Sequence, residues 1–285
     1  MNNIVAINKL VRQNIAKLTP YSSARDEFKT KGKSMVFLDA NENPFENGVN
    51  RYPDPQQNDL KKLLAAQKKV MPQQILLGNG SDEVLDLLFR AFCEPSIDNI
   101  LTAPPTYGMY SVLASINAIE NREVLLTKDY ELDVTTILKK QDENSKLLFI
   151  CSPNNPTGNV FAIKKVEQLL ASFNGLVVID EAYIDFAETD SWLHRIQDFP
   201  NLIVTQTLSK AYGMAGIRLG ICYASNEIIA ILNKIKPPYN VNQLTQDKAI
   251  EVLKQKDVFD KQLTTLLSEK LILMKELESI EDFQN

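Results

Sequence analysis

The segment GLVVIDEAY, residues 175–183, joins an apolar run directly to a charged end. Residues 176–179 read Leu-Val-Val-Ile, and a continuous run of branched apolar side chains is typical of a strand buried on both faces of a sheet. Asp180 and Glu181 follow at once. Because ligands of open α/β sheets bind beyond the carboxyl ends of the strands, we expect this acidic end to face a ligand.

Three further segments repeat this arrangement. KLLFICS (146–152) leads into the amide-rich turn 153–158, NLIVTQTLS (201–209) leads to Lys210, and QILLG (74–78) leads to residues that open a helix. Helical patterns separate these strands. The alternation predicts an α/β fold whose large domain has a mostly parallel sheet covered by helices on both faces.

The remaining apolar patterns predict further elements. They are a short helix over 4–15, a short strand running into a loop over 37–48, a helix over 58–70 ended by Pro72, a strand at 123–127 and a long helix over about 244–281. The long helix carries a stripe of leucines, which are Leu263, Leu266, Leu267, Leu271 and Leu277. Such a stripe either finds cover on another surface or stays exposed.

The composition excludes several classes of protein. The 285 residues include 31 basic and 36 acidic side chains, a formal net charge of −5, which does not predict the basic face that nucleic acid requires. The three cysteines, Cys93, Cys151 and Cys222, stand in apolar surroundings, and the chain has one histidine. Neither a disulfide framework nor a zinc site is therefore predicted. The apolar runs are too short to cross a bilayer. We therefore expect a cytoplasmic protein with buried free thiols and no metal, membrane or nucleic-acid partner.

The polar residues at the strand ends match the chemical needs of pyridoxal phosphate. A lysine removed from water, here Lys210, has a lowered pKa and can condense with an aldehyde. A carboxylate such as Asp180 keeps a pyridine nitrogen protonated. The N-terminus of a helix over 81–92 and the guanidinium of Arg218 suit a phosphate. Each residue alone has a plainer explanation (a solvated lysine, a capping aspartate, an ordinary glycine turn), so their joint order carries the prediction.

The motifs SPNNPTG (152–158), VVIDEAY (177–183) and TLSKAYGMAGIRLG (207–220), in this order, resemble those of the fold-type I, class I and II aminotransferases that use pyridoxal phosphate. FLDANENPF, RYPDP, GNGSDE and PPTYGMY narrow the resemblance to the histidinol-phosphate aminotransferase branch. The resemblance implies amino transfer between L-histidinol phosphate and a 2-oxo acid such as 2-oxoglutarate, in histidine biosynthesis.

The resemblance also implies a role for each matching residue. Lys210, Asp180 and Tyr183 are the catalytic candidates: the lysine that binds the cofactor and shuttles a proton, the partner of the ring nitrogen, and a donor to the ring oxygen. Asn155 matches the second donor to that oxygen, and Tyr107 matches the aromatic residue that stacks on the ring. The residues that resemble the phosphate-binding set are Gly80, Ser81, Asp82, Thr207, Ser209 and Arg218.

Two residues concern the substrate and the second subunit. Tyr52, in RYPDP, matches the tyrosine that reaches the cofactor of the neighbouring subunit, which implies a homodimer with shared active sites. By the same resemblance, Asn43 borders the substrate together with Tyr52 and Tyr107.

The resemblance also implies three domains. They are an N-terminal arm and the start of the small domain (1–45), a large cofactor-binding domain (46–240), and a long helix leading to a truncated small domain (241–285).

The resemblance is incomplete at its C-terminal side. Family members continue into strands and helices that carry the arginines for the substrate's carboxylate or phosphate, and we expect the given chain to lack that segment. The sequence therefore leaves alternatives open. These are an aromatic amino-acid aminotransferase, a threonine-phosphate decarboxylase, and a catalytically silent protein that binds pyridoxal phosphate.

Overall fold

The computed structural model describes residues 6–20, 38 and 40–280, and its strands form one sheet. The strands are β1 (Ile75–Asn79), β2 (Asn99–Thr102), β3 (Glu120–Glu123), β4 (Ser145–Cys151), β5 (Leu176–Asp180), β6 (Leu202–Thr207) and β7 (Leu219–Ala224). The helices are α1 (Ile7–Leu10), α2 (Gln13–Ala16), α3 (Asn58–Lys68), α4 (Ser81–Phe92), α5 (Met109–Ile116), α6 (Val134–Lys140), α7 (Ile163–Ser172), α8 (Asn226–Ile235), α9 (Gln243–Leu253) and α10 (Lys256–Glu278). The predicted α/β class with helix-covered sheet is confirmed.

The strand order β1-β7-β6-β5-β4-β2-β3 brings distant parts of the chain to one edge of the sheet. Strand β7 runs antiparallel to both of its neighbours, and the other pairs are parallel. Consequently β1, β4, β5 and β6 all end at the edge where β7 begins. In the register of the sheet, Asn79 lies opposite Leu219 and Cys151 lies opposite Asp180.

The two faces of the sheet pack into separate hydrophobic clusters, because successive strand residues point to opposite faces. In β5, Val177 and Ile179 join the cluster with α3, α6 and α7, whereas Leu176 and Val178 join the cluster with α4, α5 and α8. This two-sided burial explains the uninterrupted apolar runs of the sequence.

The N-terminal helix differs from the prediction. Residues 4 and 5 lie outside the described residues, and the rest forms two short helices, α1 and α2, rather than one. The break falls at Arg12, whose backbone N–H donates to Ala91 O at 3.0 Å and whose guanidinium pairs with Glu94 at 3.2 Å. These long-range contacts replace the helical hydrogen bonds.

Three other elements are shifted from their predicted bounds. Helix α3 ends before Lys69, which adopts a left-handed conformation (φ +56°), so Pro72 does not end the helix but begins a 3₁₀ turn. The strand expected at 123–127 begins earlier, as β3, although Val124 N–H still bonds to Thr102 O. Of the segment 37–48, predicted as a short strand running into a loop, residues 38 and 40–48 are described, and none of them is in a strand.

The long C-terminal helix is two helices, α9 and α10, separated at Lys254 and Gln255. Helix α9 packs on the core through Ala249 and Leu253, but α10, which is described throughout, has no buried residue. Of its six leucines, Leu266, Leu271 and Leu273 are exposed, and Leu263, Leu267 and Leu277 are partly covered. Among the described residues, no helix combines the length and the apolar character needed to cross a membrane.

Strand β7 touches the start of α4 without room for a side chain. A methyl group on Gly220 would overlap the backbone of Gly80 and Ser81. Gly80 itself has φ +81°, a conformation that other residues rarely adopt. The glycines therefore set how closely β7 approaches the N-terminus of α4.

We predict that Gly220→Ala destabilises the fold by about 1–3 kcal/mol, because overlap forces the backbone to move. Gly108→Ala is the matched control, since a methyl group there meets no described atom within 4 Å. Chemical denaturation of both variants measures the difference. Equal stabilities would contradict the close packing.

Glu181 is a buried carboxyl group beside the end of β5. It is 1% exposed and accepts hydrogen bonds from Ser191 Oγ (2.5 Å), the Trp192 backbone N–H (2.6 Å) and Gln206 Nε2 (2.9 Å). Burial nevertheless raises its pKa to about 7. The folded state therefore holds this proton at a pH where the unfolded chain has released it.

The sign of the resulting pH effect follows from that difference. As the pH rises from about 4.5 to 7, the free energy of unfolding should fall by up to about 3 kcal/mol through Glu181 alone. We expect Glu181→Gln to lose this part of the pH dependence, and Glu188→Gln, at an exposed position, to keep it. Denaturation at pH 5 and pH 8 measures both, and parallel pH profiles for wild type and Glu181→Gln would show the assignment to be wrong.

Candidate active site

A cavity of about 220 Å³ opens at the edge of the sheet where β4, β5 and β6 end and β7 begins. Most of the residues singled out from the sequence line it. They are Ser81, Asp82, Tyr107, Asn155, Asp180, Tyr183, Thr207, Ser209, Lys210 and Arg218. The strand topology thus assembles them from positions far apart in the chain.

One end of the cavity presents positive charge and hydrogen-bond donors. Helix α4 begins at Ser81, so its free backbone N–H groups and its dipole face this end. Arg218 approaches from β7, and its backbone oxygen accepts the Gly80 N–H at 2.9 Å. A side chain at Gly80 would place Cβ 2.8 Å from Arg218 Nη2, so glycine makes room for the guanidinium. This end suits an anionic group.

Two hydroxyl groups complete the anion-binding end. Thr207, the last residue of β6, lies with its Oγ1 3.0 Å from Ser209 Oγ. The Arg218 guanidinium is only loosely paired, with Nη2 4.0 Å from Asp82 Oδ2 and half of the side chain exposed. A second, stronger anion can therefore use both the hydroxyls and the guanidinium.

The opposite end holds a buried carboxyl group, that of Asp180. It is 3% exposed, and its oxygens accept the Tyr110 hydroxyl at 2.9 Å and the Ala182 backbone N–H at 3.2 Å. Burial raises the pKa of Asp180, and these two hydrogen bonds act against that rise. Tyr110 was not among the residues singled out from the sequence, because its place in a helix pattern marks it only as a core residue.

Lys210 lies in the turn that follows β6, not within the sheet. Its Nζ is 5.4 Å from the centre of the Tyr183 ring, so the amine and the phenol face the same space. The expectation of a desolvated lysine is wrong for this structure: Lys210 is exposed, because the turn carries it beyond the covering helices. The position still gives the amine free access to a ligand in the cavity.

Tyr107 forms the wall of the cavity next to α4. Its hydroxyl donates to Asp82 Oδ1 at 3.1 Å, and its ring meets that of Tyr110 edge-on at 5.6 Å. Burial, followed by the charge of Asp82, raises the Tyr107 pKa to about 12. The ring is therefore a neutral aromatic surface at physiological pH.

A buried amide that was not singled out holds the turn that carries Asn155. The side chain of Asn154 accepts the Thr106 hydroxyl at 2.9 Å and donates to Pro105 O at 2.9 Å and to Thr157 Oγ1 at 2.6 Å. It ties the turn after β4 to the loop before Tyr107. The unusual composition of SPNNPTG and PPTYGMY marks both segments as special turns. It does not indicate that the side chain of Asn154 joins them by hydrogen bonds.

Asn43 and Tyr52 lie apart from this cavity. Asn43 is exposed, and its Oδ1 accepts the Phe45 N–H at 2.9 Å. Tyr52 lines a different cavity of about 450 Å³ and stacks on Tyr239 with ring centres 4.6 Å apart. Neither residue reaches the cavity of Lys210 within its own chain.

The charges of the cavity fit pyridoxal phosphate, the cofactor that the resemblance implies. The helix N-terminus, the hydroxyls and Arg218 form the end for its phosphate, and the buried carboxyl of Asp180 lies at the end for its ring nitrogen. The exposed amine of Lys210 lines the same cavity and is accessible to its aldehyde. Cys151 also lines the cavity, but burial raises its pKa to about 12, so it remains a neutral thiol.

Comparisons with known proteins agree with this site. The family model of class I and II aminotransferases matches residues 33–285. A histidinol-phosphate aminotransferase of Christiangramia forsetii is 65% identical over 271 residues, which cover 95% of this chain and 77% of the relative.

Two solved structures resemble the fold. The histidinol-phosphate aminotransferase of Clostridium acetobutylicum superposes with a TM-score of 0.73 at 26% identity, covering 81% of this chain and 69% of that one. The enzyme of Sinorhizobium meliloti, in complex with pyridoxal 5′-phosphate, gives a TM-score of 0.69 at 26% identity over 75% of this chain and 59% of that one. The chain therefore belongs to the class I and II aminotransferase family.

Proposed function

We propose that this protein is a pyridoxal-phosphate-dependent aminotransferase that moves the amino group of L-histidinol phosphate to a 2-oxo acid, 2-oxoglutarate, in histidine biosynthesis. The observation that carries the proposal is the single cavity that joins an accessible lysine, a buried carboxyl group and an anion-binding end. The relatives of 50–65% identity that bear the histidinol-phosphate name support the choice of substrate.

When bound, the cofactor supplies an electron-withdrawing ring that stabilises the charge left on the substrate carbon after proton loss. Asp180 would hold the proton on the ring nitrogen, and Asn155 and Tyr183 would donate hydrogen bonds to the ring oxygen. Tyr107 would pack on the ring and exclude water from that face. The phosphate would be bound by the N-terminus of helix α4, chiefly through the backbone of Gly80, Ser81 and Asp82, and by Thr207, Ser209 and Arg218.

Lys210 has two tasks in this proposal. Its Nζ would hold the cofactor through the aldehyde when no substrate is bound. With substrate in place, the released amine would take the proton that leaves the substrate carbon and give it back later in the reaction. Its place in a turn at the mouth of the cavity gives the side chain the freedom to serve both positions.

We further propose a homodimer in which Tyr52 completes the partner's active site. Tyr52 is 49% exposed and does not line the Lys210 cavity of its own chain. Phe45 (80% exposed) and Val49 (55% exposed) precede it, and Leu244 (65% exposed) shares its cavity. A cluster of large apolar side chains of this kind is typical of a protein interface. Asn43, in the same loop, would border the substrate there.

We predict that Lys210→Ala lowers the rate of glutamate formation from L-histidinol phosphate and 2-oxoglutarate by at least about a hundredfold, since it removes the proton-transferring amine. Lys164→Ala, at an exposed position on α7, is the matched control and should keep the wild-type rate. Full activity of Lys210→Ala would refute the mechanism.

The substrate is tested by comparing kcat/KM for L-histidinol phosphate with that for L-phenylalanine in the same assay. We expect the phosphate ester to be preferred, because its dianion adds charge-assisted hydrogen bonds that an aromatic amino acid lacks. A preference for phenylalanine would reassign the enzyme to aromatic amino acids. If the protein binds the cofactor but converts no amine, it is the catalytically silent binding protein of the alternative interpretation.

Shared active sites predict complementation between two inactive variants. Neither Lys210→Ala nor Tyr52→Ala alone should turn over normally, but a mixed dimer has one site with both native residues. After subunit exchange, equal amounts should recover up to about a quarter of the wild-type activity. No recovery, although mixed dimers form as judged by differently tagged subunits, would contradict the role of Tyr52.

A further inference from the structure

The buried carboxyl group of Asp180 faces a physical conflict. Its proposed task requires a negative charge, whereas burial at 3% exposure favours the neutral acid. If Asp180 took the proton from the ring nitrogen, the ring would lose the charge that makes it electron-withdrawing. The site therefore needs a group that favours the carboxylate.

Tyr110 makes the contact that can do so. It lies in the first turn of α5, is 0% exposed, and its hydroxyl donates to Asp180 Oδ2 at 2.9 Å. Burial and the charge of Asp180 hold the Tyr110 pKa well above its ordinary value. The phenol thus stays a donor at every pH at which the enzyme works. A hydrogen bond from a neutral donor to a carboxylate stabilises the charged form.

The aromatic neighbours of Tyr110 fix the direction of this hydrogen bond. Its ring stacks on Phe149 at 4.8 Å, and Phe149 stacks in turn on Phe89 at 5.4 Å. Tyr107 closes the remaining side edge-on at 5.6 Å. With the ring held on these sides, the hydroxyl is directed to Asp180, and its other polar neighbour is the neutral thiol of Cys151.

We propose that Tyr110 is a positioning residue that orients Asp180 and keeps it ionised toward the ring nitrogen of the cofactor. This inference rests on the proposed function. It assigns a part in the reaction to a residue that does not line the cavity and is buried behind Asp180. Of the groups that favour the carboxylate, the Tyr110 hydroxyl acts most strongly, ahead of the Ala182 N–H at 3.2 Å and of Thr205.

The test is Tyr110→Phe, which deletes the hydroxyl and keeps the stacked ring. We expect kcat to fall by about tenfold to a hundredfold, as for loss of a hydrogen bond to a charged group, with little change in KM. The absorbance titration of the cofactor bound to Lys210 should move to higher pH, because a less positive ring leaves the linked nitrogen more basic.

Tyr223→Phe is the matched control. Tyr223 is also 0% exposed, lies in β7, and its hydroxyl bonds to no described residue. The same chemical change at the same burial should therefore leave both kcat and the titration unchanged. An equal effect of both variants would indicate a general loss of packing and overturn the proposal.

A double-mutant cycle with Asp180→Asn separates positioning from other effects. If Tyr110 acts through the charge of Asp180, Tyr110→Phe should cause little further loss in the Asp180→Asn background. Fully additive losses would refute the inference. If the wild type binds the cofactor but transfers no amino group, the proposed function fails, yet the titrations of wild type and Tyr110→Phe still decide the role of Tyr110.

Discussion

The backbone contact between Gly220 and the Gly80–Ser81 segment is the constraint on which the site depends. Strand β7 enters the sheet antiparallel to its neighbours, so its first residues lie at the edge where the other strands end. The missing side chain at Gly220 lets β7 press against the start of α4. As a result Arg218, just before β7, lies beside the N-terminus of α4. The positive potentials of the guanidinium and of the helix dipole therefore add at the anion-binding end of the cavity.

The sheet also separates the opposite charges of the site. Asp180 ends a central strand and is buried, whereas Arg218 and Lys210 lie in connecting segments near solvent. A buried carboxyl and exposed cations feel different dielectric surroundings, so neither neutralises the other. A ligand that carries both a basic nitrogen and an anionic group can therefore contact Asp180 and the cations at the same time. A direct ion pair between Asp180 and one of the cations would occupy the groups that the ligand needs.

The convergence of Asp180, Asn155 and Lys210 follows from the sequence because each lies at the end of an apolar strand or in the turn after it. The rule that parallel strands end at a common edge is enough to predict that Lys210, Asp180 and Asn155 lie close together. Tyr110 was not predicted, since its partner depends on how α5 packs over β5. The break at Arg12 and the exposure of Lys210 likewise arise from contacts and solvent access that no local pattern encodes. The assigned chemical roles and the domain boundaries remain predictions.

The burial of Cys151 has a consequence for the selectivity of the site. A thiolate beside the cofactor would compete with an amine for the same aldehyde. Cys151 instead donates its S–H to Pro153 O at 3.4 Å, and burial keeps the sulfur protonated. The cavity therefore presents an accessible amine and a buried, neutral thiol, so burial of the sulfur removes it as a competitor for the aldehyde.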